Sequence, residues 1–368
     1  VSYGTTGNQG FNTNTAYRMY SKDSWTYYNG QWMTVYGLMH NQNRDMKWEI
    51  KKEFDVGLDF SLFNRRLNGR MDYFSRKIED AIYSGIPVAS PPAVYATSTV
   101  NIGDITNKGF EFELNGRVVD TKDWTFDTSL VGSFVGKSRL EGMAKDTHME
   151  FQAMPHGGGS AVRIFGGQEI GRYFLYRFAG VREEDGTPMI YSKDNKVIPY
   201  ASGTDEDRVQ TGNGLPKAVL SWNNTVRYRN WDLNLFFRSW LGQDVYNVTD
   251  MIQGVNCKIT EGQNLLSTAN RRNKASNNTD RLMLLDYWLE KGDFLKLDAV
   301  TLGYTLPRNK IKYVEKLRCY FTVRNVCTLT GYSGLDPEVN VNGLAPGFEG
   351  MSQYPRTRSF ILGIEIGF

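Results

Sequence analysis

The chain has 368 residues, too many for one ordinary small domain and enough for a large barrel, and its 43 basic and 40 acidic side chains leave a net charge of +3. That balance excludes the electrostatic footprint of a nucleic-acid binder, and no stretch reaches the ~20 apolar residues of a transmembrane helix. Aromatics make up 13% of the chain, which suits the girdles of a membrane β-barrel and equally a carbohydrate-binding β-protein.

The chain opens VSYGTTGNQG, without Met or a signal peptide. Val1 to Tyr3 read as the end of a strand already under way, so a fragment is expected whose N-terminal part is missing or separate. A polar loop is expected over 4–47, carrying Trp25, Tyr27, Tyr28 and Trp32. These four could stack on sugar rings at a mouth; the alternative is loop packing or anchoring in an interface belt.

Next comes EIKKEFDVGLDF (49–60). Ile50, Phe54, Val56, Leu58 and Phe60 share one face of an extended chain, and Glu49, Lys51, Glu53, Asp55 and Asp59 share the other. A turn at Asn64–Arg66 leads to a strand over about 67–83, then a loop over 84–104. Over about 105–119, Phe110, Phe112, Leu114 and Val118 oppose Glu111, Glu113, Asn115 and Arg117. After Asp120–Asp123, the segment 124–137 sets Trp124, Phe126, Leu130 and Phe134 against Asp127, Ser129 and Ser133.

A long excursion fills 140–214, with a hairpin of its own expected near 171–200. Strands at 217–229 and 231–241 flank the tight turn Arg229–Asn230, and another long polar segment spans 242–291. Strands at about 293–306 and 317–329 flank Pro307 and a short segment at 308–316 with helical potential. After a Pro-containing loop, RTRSFILGIEIGF (356–368) places Phe360, Leu362, Ile364, Ile366 and Phe368 on one face.

About ten strands are thus expected. Their connections alternate between short turns and loops of 20 to 75 residues, the asymmetry of a bacterial outer-membrane barrel with short periplasmic turns and long extracellular loops. Strands of 10 to 14 residues suit a tilted crossing of hydrocarbon. Ten strands with two open edges would expose unpaired backbone groups to lipid, so something else must close the barrel.

Other chemistry finds little support. Cys319 and Cys327 lie eight residues apart on one strand face, about 26 Å, beyond the ~7 Å that a disulfide spans. The three histidines (His40, His148, His156) lack zinc spacing. Glu111 and Glu113 sit on a regular strand, a poor setting for a glycosidase pair. Asp205, Glu206 and Asp207 could hold Ca²⁺, but a solvated acidic loop is the preferred reading. The glycines at 157–159 lack the context of a phosphate cradle. No catalytic residue, metal or cofactor is expected.

WEIKKEFDVGLDF…NRRLNGRMDYFSRKIEDAIY (48–83), NIGDITNKGFEFELNGRVVDTKDWTFDTSL (101–130), FLKLDAVTLGYTLP (294–307), YFTVRNVCTLTGYSGLDPEV (320–339) and YPRTRSFILGIEIGF (354–368) resemble the C-terminal barrel of SusC-like (SusC/RagA family) TonB-dependent transporters of Bacteroidetes, as does SYGTTGNQG (2–10). The motifs occur in the family's order and cover most strands. The resemblance implies that 1–368 is the C-terminal part of a roughly 22-stranded plugged barrel, with N-terminal strands, plug and TonB box outside this chain. It implies an outer-membrane location and TonB-dependent import of a bulky nutrient, a glycan or a peptide, under a SusD-like surface lipoprotein. TonB–ExbB–ExbD would act through the missing N-terminal part, and a dimer of transporter–lipoprotein pairs is compatible with it. The alternatives are a siderophore or cobalamin receptor without a lid, and a surface glycan-binding β-protein that transports nothing. Glu111, Glu113, Arg117 and Arg227 would face the lumen or pair with the plug, and Phe368 would serve as a barrel-assembly signal. The 183–217 segment departs from the family's acidic run, so no bound calcium is expected there.

Overall fold

The computed structural model describes residues 1–8, 13–88, 95, 97–143, 148–154, 159–254, 264–267, 283–307, 313–351 and 353–368. The four alternating segments from residue 49 to residue 135, and those that follow, become strands because their side chains sort onto two chemically different faces. Ten main strands form one antiparallel meander: β1 (Ser2–Asn8), β2 (Glu49–Leu62), β3 (Leu67–Glu79), β4 (Asp104–Asp120), β5 (Trp124–Val135), β6 (Ala218–Tyr228), β7 (Trp231–Leu241), β8 (Phe294–Thr305), β9 (Lys316–Thr330) and β10 (Ser359–Gly367). Each pairs with its neighbour in chain order, and β1 and β10 are the edges. The short Arg139–Glu141 strand adds to the start of β4.

All short connections lie at one end of the sheet. The tightest joins β6 to β7, where Tyr228 pairs with Trp231 and Arg229 takes a positive φ of 51°, as a two-residue hairpin turn requires. The long connections gather at the opposite end. They are more structured than the sequence suggests. β1 continues to Asn8, and the expected 4–47 loop contains a hairpin of Tyr20–Tyr28 and Gln31–Leu38 around Asn29–Gly30, both with positive φ. Such an Asn-Gly pair closes a type I′ turn at little strain. The 84–104 loop likewise holds a hairpin of Ile82–Pro87 and Thr97–Asn101. In the 140–214 excursion, Tyr173–Val181 pairs with Pro188–Tyr191 and with Arg208–Thr211. The helical reading of 308–316 falls mostly outside the described residues; β9 begins at Lys316.

The two faces of the sheet differ sharply. The apolar face is exposed along its whole width: Leu58, Trp231, Leu302, Phe321 and, on β10, Phe360, Leu362, Ile364 and Ile366. It is smoothed by rings lying over glycine, as Phe112 lies over Gly132, where a Cβ would strike the ring. Trp124 lies against Tyr228 at 4.3 Å and Trp231 against Tyr304 at 4.8 Å, both with tilted rings, forming an aromatic row at the short-turn end. An apolar surface this extensive would drive association in water; it suits contact with hydrocarbon.

The principal hydrophobic core lies among the long connections rather than on the sheet. Leu140, Met149, Val162, Tyr173, Leu175 and Ile190 from the 136–217 connection pack with Ala81 and Ile102, with Tyr246 and Met251, with Leu285 and Trp288, and with Phe348. Four successive long connections therefore close into one cap above the sheet. Tyr173 ties three of them: its hydroxyl donates to the carbonyls of Asp244 (2.9 Å) and Gly347 (2.8 Å).

Candidate functional site

The charged and hydrogen-bonding side chains of the alternating strands gather on the polar face of the sheet. Alternation alone puts Glu111, Glu113, Arg117 and Arg227 there, and the structure brings the two arginines together. Arg117 Nε lies 2.9 Å and an Arg227 terminal nitrogen 2.8 Å from the Asp127 carboxylate, so one carboxylate joins β4, β5 and β6. Glu113 accepts from the Asn115 amide at 2.7 Å, and Glu111 accepts from Ser133 at 3.5 Å. These contacts border two cavities. One of about 460 Å³ lies near the short turns, around Arg65, Arg117, Asp127 and Asn223. A second, of about 440 Å³, lies around Arg70, Asp72, Glu111 and Ser221. The first is lined chiefly by hydrogen-bonding groups, whereas the second mixes its charged side chains with Phe112, Val131 and Val219.

Trp25, Tyr27, Tyr28 and Trp32 sit on the first hairpin, far along the chain from this polar-face set. Cross-strand pairing of Tyr27 with Trp32 brings their rings to 5.4 Å, edge to face, and Lys22 Nζ lies 4.1 Å over the Trp25 ring. Trp25 and Tyr27 share a face, whereas Tyr28 points to the other. All four are exposed. Phe368 is exposed beyond the end of β10, next to the apolar face.

A third group was not singled out in the sequence. Lys296 of β8 is almost wholly buried on the polar side. Its ammonium lies 2.8 Å from Asp336 and 2.9 Å from Glu338, both in the 331–358 connection. Arg238 of β7 holds Asp298 (3.1 Å) and Glu338 (2.9 Å). Arg356 reaches Asp336 (3.0 Å) and Glu338 (2.9 Å). Three cations and three carboxylates thus form one neutral knot that pins the last long connection against the sheet. Burial pushes the Glu338 carboxyl up, but the Arg238 and Lys296 charges outweigh it and hold it below the ordinary value. The available signal was a lysine in the apolar run FLKLDAV and a pair of carboxylates around Pro337. A charge alternating with apolar residues reads as an ordinary polar-face residue until its partners, some 40 residues away, are located.

The acidic run is solvent-exposed at Asp205 and Glu206, as the solvated reading expects, and buried only at Asp207, but all three carboxylates have partners. Asp205 accepts from Arg163 (2.6 Å) and Arg208 (3.1 Å), and Glu206 pairs with Lys193. Burial raises the Asp205 carboxyl, yet the two guanidiniums bring it below its ordinary value. Asp207 caps the turn: the backbone N–H groups of Thr204 and Lys193, followed by the Thr204 hydroxyl, lower its pKa. These carboxylates are committed to arginines, a lysine and backbone amides. Among the described residues no three His, Cys, Asp or Glu side chains converge as a metal site. Gly159 alone of the 157–159 glycines is described, and Cys257 and His156 lie outside the described residues; Cys319 and Cys327 are free thiols.

The arrangement thus combines a polar sheet face, an exposed apolar face and a structured cap. The family model for "TonB dependent receptor-like, beta-barrel" matches residues 1–326. TonB-dependent receptor P3 of Formosa agariphila is 27% identical over all of this chain and 39% of its own length. TonB-dependent receptor SusC of Bacteroides thetaiotaomicron is 27% identical over 89% of this chain and 32% of its own length. The solved RagAB peptide transporter has the same fold, with a TM-score of 0.81 over 100% of this chain and 40% of its own, at 19% identity. The chain spans about two-fifths or less of the length of these relatives.

Proposed function

The chain belongs to the TonB-dependent receptor β-barrel family of the outer membrane, among the relatives of SusC, a family of transporters rather than enzymes, and on that premise we propose that it forms the C-terminal barrel wall and mouth of an active importer. The carrying observation is the division of one ten-strand sheet into an exposed apolar face and a polar face crowned by a cap. In this reading the apolar face meets lipid. Glu111, Glu113, Arg117 and Arg227 line the lumen or face a plug contributed by the remainder of the receptor. The further strands that close the barrel, the plug and the segment engaged by TonB–ExbB–ExbD belong to that remainder as well.

The cargo is a bulky nutrient. An oligosaccharide fits the exposed rings of Trp25, Tyr27, Tyr28 and Trp32, whose faces stack on sugars. A peptide is the second reading, favoured by the fold shared with a peptide transporter. A SusD-like surface lipoprotein completes the mouth as a lid.

The test is gentle detergent extraction of the native outer membrane, identification of co-purifying proteins by mass spectrometry, and uptake assays with and without TonB. Expected are a barrel-and-plug segment, a lipoprotein, and uptake of a glycan or peptide that stops without TonB. Recovery of a detergent-independent soluble protein would overturn the reading.

A further inference from the structure

The strongest unassigned feature on the polar face is a cavity of about 700 Å³ between β8, β9 and the return of the last connection into β10. We propose that it is a subsite for a carboxylate group of the transported solute, with Arg324 as its primary ligand; this rests on the reading of the polar face as a lumen wall.

Three observations place it. The first is the state of Arg324. It lines the cavity, is exposed, and its guanidinium has no hydrogen-bond or ion-pair partner among the described residues. The neighbouring cations Arg238, Lys296 and Arg356 are all committed to Asp298, Asp336 and Glu338. Cavity wall and adjoining knot together therefore hold four cations against three carboxylates. The uncompensated charge is a guanidinium, whose planar fork matches a carboxylate with two parallel hydrogen bonds.

The second is the backbone. The β8–β9 register slips between Leu297 and Ala299, so that Asn325 and Val326 oppose the single residue Asp298, and Asn325 takes a φ of 53°. A bulge of this kind re-aims the adjacent side chain, and such bulges concentrate beside binding sites. Here it stands next to Arg324.

The third is that the wall is built. The Asn325 amide donates to the carbonyls of Arg356 (3.1 Å) and Thr357 (3.4 Å), and Arg358 donates to that of Val326 (2.6 Å). The return segment is thereby fixed across the cavity. Phe236, Ala299, Pro355 and the exposed ring of Tyr354 supply an apolar flank beside the guanidinium. Charge on one side and a ring on the other suit an acidic sugar or an acidic peptide. Both present the same carboxylate.

The test uses the complete receptor in detergent with its co-purifying proteins. Calorimetric titrations compare trigalacturonate, its fully methyl-esterified form, and triglutamate. Expected is binding of one or both acids at least tenfold tighter than the ester. Arg324→Gln should weaken the acid at least tenfold and leave the ester unchanged. Arg324→Lys, which keeps the charge but loses the fork, should fall between and guards against a folding defect in the first variant. Preference for trigalacturonate or for triglutamate identifies the carboxylate's source. The proposal is overturned if neither acid binds, if acid and ester bind alike, or if Arg324→Gln matches the native receptor. A carboxylate from the plug already occupying Arg324 would give that last result. These titrations need no TonB. A null here beside intact TonB-dependent uptake removes the subsite alone, whereas loss of uptake dependence on TonB removes the importer.

Discussion

On β10, Phe360, Leu362 and Ile364 stand 66%, 79% and 64% exposed, while in the cap Tyr173, Leu175 and Leu285 have no exposed surface. The same residue chemistry has opposite fates a few turns of chain apart. In the cap, rings and aliphatic chains gather from four connections into a close-packed interior, as in a water-soluble domain. In the sheet they form an outer surface whose partner is lipid, and the sheet's own cohesion comes from its backbone ladder. One chain thus folds against two solvents, and substitutions in the two regions should be read by different rules.

The largest separation of the two regions is expected from Trp288→Ala. Trp288 is 2% exposed, with its ring 4.7 Å from that of Tyr287, in the middle of the cap core. Removing a buried indole costs about 3–5 kcal/mol. Protease nicking of the 136–217 connection should rise sharply, while the heat-modifiable mobility of the barrel stays unchanged. If the barrel melts along with the cap, the two are one cooperative unit and the contrast fails.

Next comes a pair of substitutions on adjacent residues of β10. Leu362→Arg puts a charge on the lipid face and should cost about 2–4 kcal/mol near the bilayer midplane. Ile361→Arg faces the polar side and should cost far less. Urea or heat unfolding in lipid bilayers measures both. Equal penalties would mean that the exposed face is not a lipid face.

Lys296→Met tests the junction. Removing one partner of a buried ion pair costs about 3–5 kcal/mol when the other is stranded. Here Arg238 and Arg356 still reach Glu338, and Arg356 still reaches Asp336, so the lower end or less is expected. The loss should appear as faster proteolysis or hydrogen exchange within 331–358, with the Trp288 region protected. Uniform loosening of the whole cap would show that the knot supports more than its own connection.

The order of these effects follows what the sequence made legible. Strands were readable because period-two alternation is local: each of the nine strands expected from residue 49 onward appears within a few residues of its expected bounds, and the short-turn and long-loop asymmetry holds. Where a strand ended early, a single backbone event explains it, as at Asp80, whose φ of 52° breaks β3 before the expected 83. The cap was not legible. Its core joins Ala81 to Leu285 and Phe348, contacts that no local period records. The polar-face set of Glu111, Glu113, Arg117 and Arg227 followed from parity, but the clasp of Arg117 and Arg227 on Asp127 needed the register. The Lys296 knot needed the path of a loop and was missed.

The smallest expected effect is that of acid on the cap. Asp205, Asp207 and Glu338 all titrate below their ordinary values in the folded chain. A depressed carboxylate adds stability above its unfolded pKa, near pH 4, and that stability is lost as pH falls through the depressed folded value. Asp286 has the opposite sign. Burial raises its carboxyl, so protonation favours the folded cap and offsets part of the loss. Asp205 also stands 59% exposed by side chain, where water and salt screen its pairs. The net expectation is therefore a modest loosening below about pH 4, confined to the cap and to the 331–358 connection. Protease accessibility of the detergent-solubilised receptor between neutral and acid pH measures it, with barrel mobility as the internal reference. The lowered carboxylates, Asp185 beside Arg182 among them, outnumber the raised Asp286 and predict a cap weaker in acid. A cap that grows more resistant would show that Asp286 dominates, and that burial rather than ion pairing sets the pH response of this region.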